Sequence, residues 1–341
     1  MNASKRRRAS ILITATLGAA AVAVTACGGG SAAPTVGAPP ASQHTAAERA
    51  ATLNWLAKTN QMWTRDDFAA LSQVTTGEAR TVYLTEQRKA VHDPGPSGRT
   101  AFRLTGLSIT VPCGRHPGLV FVAYGDTDVF TLGQSMRPEA MVFQRAGRTW
   151  RLAAVVNGSP GSAQPRWPAL CRDGADPAAT AVLAPADYGP ALARVLDHAA
   201  TGATETAQAA APFAVNSFFA GPGSINAQFA AGSRPDRAAG VTLAQWFTPA
   251  ASPAFALPLA DGRGYWLVGV FSQTSSHQSA TGIRKASWPD GNSVASPRPA
   301  VVHQETDTFV TTYAATDPLR SAGGRVVLDG FFGWPLTSVA R

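Results

Sequence analysis

Residues 140–156 read AMVFQRAGRTWRLAAVV. Two runs rich in Val, Phe, Leu and Ala flank Ala146-Gly147-Arg148, and a Gly in a short gap between such runs is typical of a hairpin turn. We therefore predict strands at 140–144 and 149–156. Two further apolar runs with period two, at 102–111 and 119–124, predict an antiparallel sheet that ends with this hairpin.

Helices are predicted ahead of the sheet. Thr45 and Glu48 have the spacing of a capping box, and apolar residues follow at helical spacing. Thr64 and Asp67 form a second such box before a short apolar run. A third helical segment is expected at 78–90 and should end at the His-Asp-Pro-Gly-Pro stretch that follows it. Helices followed by an antiparallel sheet define an α+β domain.

The second half of the chain repeats this order more loosely. A helix is predicted at 185–200, where Leu192, Val195 and Leu196 recur at helical spacing. Strand candidates lie at 241–247, 265–273, 300–313 and 325–332. Two long polar segments rich in Gly, Pro and Ser, 221–240 and 275–299, are predicted to be surface loops or partly disordered.

These patterns predict an α+β protein with two domains, 45–173 and 185–341. Each domain is expected to have N-terminal helices packed on a curved antiparallel sheet. Residues 174–184, rich in Ala, Asp and Pro, form the predicted linker.

The N-terminus has the organisation of an export signal. Four basic residues at 5–8 precede an uncharged apolar run at 11–24. As a helix that run spans only about 21 Å, short of the roughly 30 Å hydrocarbon core, so cleavage is expected rather than permanent membrane spanning. Val24-Thr25-Ala26-Cys27 resembles the bacterial lipobox, which implies a signal peptide at 1–26 and a lipid on Cys27. The alternative is an ordinary signal peptide followed by a chance cysteine.

Behind Cys27 the chain is uncharged and consists mainly of Gly, Ser, Ala, Pro and Thr. Such a composition cannot bury enough apolar surface to fold, so residues 27–44 are predicted to be a disordered tether. The predicted location is the outer face of the cell membrane, reached through a lipid anchor.

Net charge does not point to nucleic acid. The full chain carries +8, but four of its 29 basic residues and none of its 21 acidic residues precede Cys27, which leaves the mature chain at +4. The mature chain contains no dense Lys/Arg block, and an exported location disfavours a nucleic-acid partner further.

Two cysteines remain after Cys27, namely Cys113 and Cys171. An even number in an oxidising compartment favours a disulfide, which would close a 58-residue loop and contribute roughly 4 kcal/mol by loop-closure entropy. A free buried pair and a thiol nucleophile are the alternatives.

Short motifs resemble a known family. Thr59-Asn60, Thr76-Gly77-Glu78 and the Pro-Ala-Asp-Tyr188 start of the second half look like an actinobacterial lipoprotein family that carries only a domain-of-unknown-function label. The resemblance implies two mixed domains and brings no activity with it. More remotely, helices against a curved sheet that ends in Gly147-Arg-Thr-Trp-Arg151 are similar to the cone-shaped nuclear transport factor-like and cystatin-like folds. Those folds host enzymes, binders and structural modules alike.

Common catalytic signatures are missing from the sequence. It contains no HExxH, P-loop, GxGxxG or CxxC motif. Asn157-Gly-Ser-Pro-Gly161 approaches a nucleophile elbow but lacks the first Gly and a following helical pattern. We therefore assign no catalytic residue, metal ligand or cofactor.

Histidines and carboxylates give one cluster of interest. His303, Glu305 and Asp307 alternate on a predicted strand, so they share one face. They are a candidate acid–base or cation-binding group, and the alternative is an ordinary solvent-facing strand. Asp126 and Asp128 form a weaker pair of the same kind. The other histidines are predicted to lie in loops, at the tether edge or, for His198, on a helix beside Asp197.

Aromatic residues are frequent in the second half. Core packing explains most of them, but an apolar groove for a ligand or partner would need the same residue types. Within Phe331-Phe332-Gly-Trp334-Pro335, Trp334 is the candidate binding residue.

Two functions of different class follow. The favoured one is a non-enzymatic envelope module that binds a protein, a glycan or a small apolar ligand. The alternative is a cavity enzyme of ketosteroid isomerase-like or hydrolase type that uses His303 and its neighbouring carboxylates.

Overall fold

The computed structural model describes residues 43–92, 99–111, 119–129, 136–158, 185–200, 212–214, 238, 240–249, 255–261, 263–284, 301–318 and 324–340. The predicted signal peptide, Cys27, most of the tether, Cys113, Cys171 and the linker lie outside these residues. Within the described ranges, none of the helices combines the length and apolarity needed to cross a membrane. The fold is α+β, with antiparallel sheets and few helices.

Three helices precede the first sheet: α1 (Gln43–Trp63), α2 (Phe68–Leu71) and α3 (Gly77–His92). The predicted helices are confirmed, but both capping boxes are wrong. Helix α1 begins before Thr45, which therefore lies inside it. Asp67, not Thr64, caps α2: its carboxylate accepts the Ala70 N–H at 3.0 Å. The Thr64 hydroxyl instead donates to the Asn60 carbonyl at 2.8 Å, as a side chain can at a helix end.

The first sheet is a four-stranded antiparallel meander in sequence order. Its strands are β1 (Leu104–Thr110), β2 (Val120–Thr127), β3 (Arg137–Ala146) and β4 (Thr149–Asn157). The predicted hairpin is confirmed, with Ala146 paired to Thr149 and Gly147 at φ +63° in the turn. A residue with a side chain would be strained at that φ, which explains the glycine.

The second sheet follows α4 (Pro185–Ala200). Its strands are β5 (Thr242–Pro249), β6 (Phe255–Pro258), β7 (Gly264–Arg284), β8 (Val301–Pro318) and β9 (Val327–Ala340), paired in the order β5-β7-β8-β9 with β6 also on β7. The sequence did not predict β6. The loop prediction for 275–299 is wrong over 275–284, where β7 continues through a Ser/Thr-rich stretch.

Strand alternation places the two sheets face to face. Phe121 of β2 points toward the helices and packs with Trp55 and Trp63 of α1. Its neighbour Val122 points the other way and packs with Trp266 of the second sheet. On the far side of the second sheet, α4 covers a third core that includes the residues Tyr188, Leu192, Phe271 and Tyr313. The layers therefore run helices, sheet, sheet, helix.

Polar contacts join the two sheets across their shared apolar layer. The Thr312 hydroxyl on β8 donates to the Val155 carbonyl on β4 at 2.7 Å, and both residues are fully buried. Gly158, directly after β4, forms an antiparallel bridge with Gly330 of β9. The end of β4 is thus fixed against the second sheet.

Candidate functional site

A row of polar side chains crosses the second sheet on the face that α4 partly covers. Gln245 of β5 pairs with Ser275 of β7, and Ser275 pairs with Asp307 of β8. In the next row, His277 lies opposite Glu305. We call these five residues, together with Gln273, the polar band.

Register explains why these side chains share a face. Directly opposed residues of an antiparallel pair point the same way, and the direction repeats every second residue. Phe271 and Phe247 belong to the core under α4, so Gln273, Ser275 and Gln245 point to that same side of the sheet. The polar band therefore continues the α4-covered core toward the start of β5, the end of β7 and the start of β8.

Most of the polar band is buried, whereas Gln245 and His277 are partly exposed. The exposed fraction is 1% for Glu305 and 2% for both Ser275 and Asp307. His277 Nε2 lies 3.6 Å from Asp307 Oδ2, and the His277 side chain is 14% exposed. Further along, the Thr311 hydroxyl donates to Gln273 Oε1 at 3.3 Å. The two carboxylates and the histidine thus lie next to one another inside the protein rather than on its surface.

Gln245 Oε1 and Ser275 Oγ, which belong to the same cross-strand row of the polar band, lack a hydrogen-bond partner among the described residues. A buried polar atom without a partner costs about 1–3 kcal/mol, so native proteins supply it with protein, water or ligand groups. An external hydrogen-bonding group at this row would therefore stabilise the structure.

The structure divides the predicted His303, Glu305 and Asp307 cluster. The solvent-facing interpretation is wrong for Glu305 and Asp307, which are buried. His303 is exposed, and its Nδ1 donates to the Ser279 carbonyl at 3.1 Å. His277, predicted to lie in a loop, lies on β7 instead and contacts Asp307. The signal for His277 was the alternation of Gln273, Ser275, His277 and Ser279 after an apolar strand.

Asp126 and Asp128 have separate surroundings. Asp126 is exposed at the end of β2, whereas Asp128 is fully buried just beyond it. Asp128 accepts from the Arg103 backbone N–H at 2.6 Å and from Arg103 Nε at 2.8 Å. The two aspartates therefore do not act as a pair: Asp128 forms an ion pair with Arg103, and Asp126 lies on the surface.

Trp334 lies on β9 and is 7% exposed. It belongs to the core of the first half, with residues such as Val310 of β8 and Phe143 of β3. Trp266 and Phe271 are fully buried as well. Core packing is therefore confirmed for these aromatic side chains. Among the described residues of this half, Trp246 on β5 is a large apolar side chain that is 43% exposed.

Asp197 fixes α4 to the edge of the second sheet. Its carboxylate accepts the Phe247 backbone N–H of β5 at 2.7 Å. Partial burial raises the pKa of Asp197, and this hydrogen bond opposes the rise. The bond joins α4 to the edge strand β5, so Asp197 positions the helix beside the polar band.

Over the described ranges, no three His, Cys, Asp or Glu side chains converge closely enough to hold a metal ion. Comparison with protein-family models, curated proteins and solved structures found no match to this chain. Function is therefore inferred from the residues of the chain itself.

Proposed function

We propose that this protein is a lipid-anchored lipoprotein of the cell envelope and that the polar band of its second sheet binds a ligand on the outer face of the membrane. The ligand class that fits the polar band is a small molecule or chain end rich in hydrogen-bond donors, such as a terminal sugar of an envelope glycan. The protein acts as a binding module in this proposal, without catalysis.

The observation that carries the ligand class is the row from Gln245 through Ser275 to Asp307. Its oxygens are mainly acceptors, and Gln245 Oε1 and Ser275 Oγ have no hydrogen-bond partner among the described residues. Glu305 and His277 lie in the adjacent row. Sugar hydroxyls donate to carboxylates and amide oxygens, so a sugar would supply the groups that this row lacks.

The anchor is supported by the sequence. A basic segment, a short apolar run and Val24-Thr25-Ala26-Cys27 follow one another in the order of a lipoprotein signal. The uncharged tether behind Cys27 would allow the folded part to stand away from the membrane. Mass spectrometry of the N-terminal peptide from membranes tests the anchor, because a lipid-modified Cys27 is expected and an unmodified one would contradict it.

The proposal includes two structural units of similar plan. Helices α1 to α3 precede and cover the first sheet, and α4 precedes and covers the second. We propose that these are the domains 45–173 and 185–341, packed sheet to sheet. Their common plan supports a shared architecture in which only the second unit carries the polar band.

Binding is tested with an array of bacterial envelope oligosaccharides, followed by calorimetry on the glycans retained. Ser275→Val and Gln245→Leu should each weaken binding at least tenfold, since each removes one acceptor. Thr274→Val is the matched control, because Thr274 is on the same strand and points to the opposite face. Equal binding by all three variants would contradict the proposed site.

A second candidate function is favoured by the contact between His277 and Asp307. A histidine beside a buried carboxylate is an arrangement used for general acid–base catalysis, so a cavity enzyme of hydrolase or isomerase type is the alternative. Chromatography of each retained glycan after long incubation with the protein distinguishes the binding function from the enzymatic one. Unchanged glycan supports binding alone, whereas a product that disappears with His277→Ala would establish the enzyme.

A further inference from the structure

A groove opens on the first sheet where β1 begins, β2 ends and β3 begins. Its volume is about 790 Å³, and its lining consists of Arg103, Leu104, Thr105, Asp126, Met136 and Pro138. Thr105, Asp126 and Pro138 form one cross-strand row, so their side chains point to the same face. Tyr124, two residues before Asp126, belongs to the core between the two sheets. The groove therefore lies at the margin of that core.

Arg103 is held in the groove by a buried carboxylate. Asp128 is fully buried and accepts from the Arg103 backbone N–H at 2.6 Å and from Arg103 Nε at 2.8 Å. The Arg103 side chain is nevertheless 58% exposed. Its two terminal nitrogens make no hydrogen bond to a residue that the structure describes. The ion pair thus fixes the guanidinium and leaves its terminal N–H groups for another acceptor.

Asp126 supplies the opposite charge. Its side chain is exposed at the end of β2, and within the described part of the chain neither a hydrogen bond nor an ion pair joins its carboxylate to Arg103. Because Leu104 pairs with Thr127, the same register places Arg103 opposite Asp128 and diagonal to Asp126. Diagonal neighbours on one face have side chains that start roughly 7–8 Å apart. The groove therefore presents a cation and an anion that are close but not paired.

The rest of the lining limits the kind of ligand. Leu104, Met136 and Pro138 are half-buried and give the groove an apolar wall. A simple anion would use only Arg103, and a simple cation would use only Asp126. A zwitterion uses both and brings no net charge. An α-amino acid carries its ammonium and its carboxylate on one carbon, and this short separation suits two opposite charges on diagonal neighbours.

We propose that this groove binds a free α-amino acid with an apolar side chain. The terminal N–H groups of Arg103 donate to the α-carboxylate, and the α-ammonium donates to the Asp126 carboxylate. The Thr105 hydroxyl, in the same row as Asp126, accepts a second ammonium N–H. The side chain of the ligand packs on the apolar wall. Asp128 is a positioning residue, because it fixes the guanidinium. The site is separate from the polar band, which lies on the second sheet.

Three related compounds test the two charged contacts. L-leucine, L-leucinamide and N-acetyl-L-leucine are titrated into the mature chain and followed by calorimetry. Leucine should bind. Leucinamide, which lacks the carboxylate, and N-acetyl-leucine, which lacks the ammonium, should each bind at least tenfold more weakly, since each loses a hydrogen-bonded contact between charged groups.

Variants assign each contact to its residue. Asp126→Asn should weaken leucine binding at least tenfold and leave the affinity for N-acetyl-leucine unchanged. Arg103→Met should weaken leucine binding at least tenfold and leave the affinity for leucinamide unchanged. Arg148→Met is the matched control, because Arg148 is exposed in the hairpin turn at the opposite end of β3. It removes the same charge and should bind leucine as the wild type does.

The outcomes that would overturn the proposal are equally specific. They are no binding of leucine at millimolar concentration, equal affinities for the three compounds, or equal affinity for leucine in wild type and Asp126→Asn. Asp126→Asn tests the site even if Arg103→Met fails to fold, because Asp126 is exposed and its carboxylate bonds to no residue in the described ranges.

Discussion

His277 Nε2 on β7 lies 3.6 Å from Asp307 Oδ2 on the neighbouring strand β8. The two residues are not directly opposed: His277 pairs with Glu305, and Asp307 pairs with Ser275. The contact is therefore diagonal, between two neighbouring cross-strand rows. One row contains Glu305, and the other contains Ser275, whose hydroxyl lacks a hydrogen-bond partner among the described residues. This diagonal contact couples the two halves of the polar band.

The coupling can be measured with a double-mutant cycle. His277→Ala and Asp307→Asn, alone and together, should give an interaction free energy of about 0.5–2 kcal/mol in urea unfolding, as expected for side chains in contact. His303→Ala with Asp307→Asn is the control pair, because His303 is exposed and bonded to the Ser279 carbonyl. Additive effects in the His277 cycle, within about 0.3 kcal/mol, would contradict the contact.

Glu78 predicts a loss of stability with rising pH. Burial raises its pKa from 4.5 to about 8, with a smaller opposing influence from the Val155 backbone. Because the folded pKa is the higher one, its stabilising contribution is complete below about pH 4.5 and is lost as pH rises toward 8. Urea unfolding should show a free energy of unfolding that falls between pH 5 and pH 8.

Glu78→Gln isolates this contribution. The variant cannot ionise, so its free energy of unfolding should fall by about 1–3 kcal/mol less than that of wild type between pH 5 and pH 8. Asp329, whose pKa burial raises to about 7, titrates in both proteins and cancels in the comparison. Parallel pH profiles for the two proteins would show that Glu78 is not buried as described.

The hydrogen bond from Thr312 to Val155 predicts a measurable contribution to sheet packing. Thr312→Val keeps the shape and removes the donor, so it should cost about 1 kcal/mol in unfolding free energy. Thr308→Val lies on the same strand and the same face and is only partly buried, so it should cost less. An effect of Thr308→Val equal to that of Thr312→Val would count against the bond between the sheets.

Gly330 tests the contact at the end of β4. A Cβ there would overlap the Asn157 carbonyl oxygen, a backbone atom that cannot move aside. Gly330→Ala should therefore destabilise the protein by about 2–3 kcal/mol. Gly333→Ala, where the nearest atom to the new Cβ is the Thr311 hydroxyl at 3.4 Å, should cost less than about 1 kcal/mol. Thermal melts with similar midpoints for both variants would contradict the bridge.

Most of the fold could be predicted from local patterns. The hairpin at Gly147 and the helix α3 follow from turn chemistry and from periodicity that the structure does not override. The far half of β7 could not, because residues 275–284 consist largely of Ser, Thr, Gln and Gly, which locally resemble a loop. Residues 275–278 are in a strand because β5 and β8 pair with them on both sides, and Ile283 and Arg284 pair with β8 alone. This pairing depends on distant residues.

The candidate site was predicted only in part, for the same reason. Alternation placed Glu305 and Asp307 on one face, and the structure confirms that they share it. Sequence could not tell which face is buried, so it favoured solvent. His277 was not predicted as a site residue because the part of β7 that contains it was predicted to be a loop. The predicted caps of α1 and α2 were wrong because sequence spacing identifies only candidate cap residues. The residue at which a helix starts also depends on how the helix packs.

The central claim is that Cys27 carries the lipid that holds this protein on the outer face of the membrane. Metabolic labelling with radioactive palmitate, followed by immunoprecipitation from wild type and from Cys27→Ser, tests it directly. We expect strong label in wild type and none in Cys27→Ser, with the variant released from the membrane fraction. Equal labelling of both proteins would contradict it.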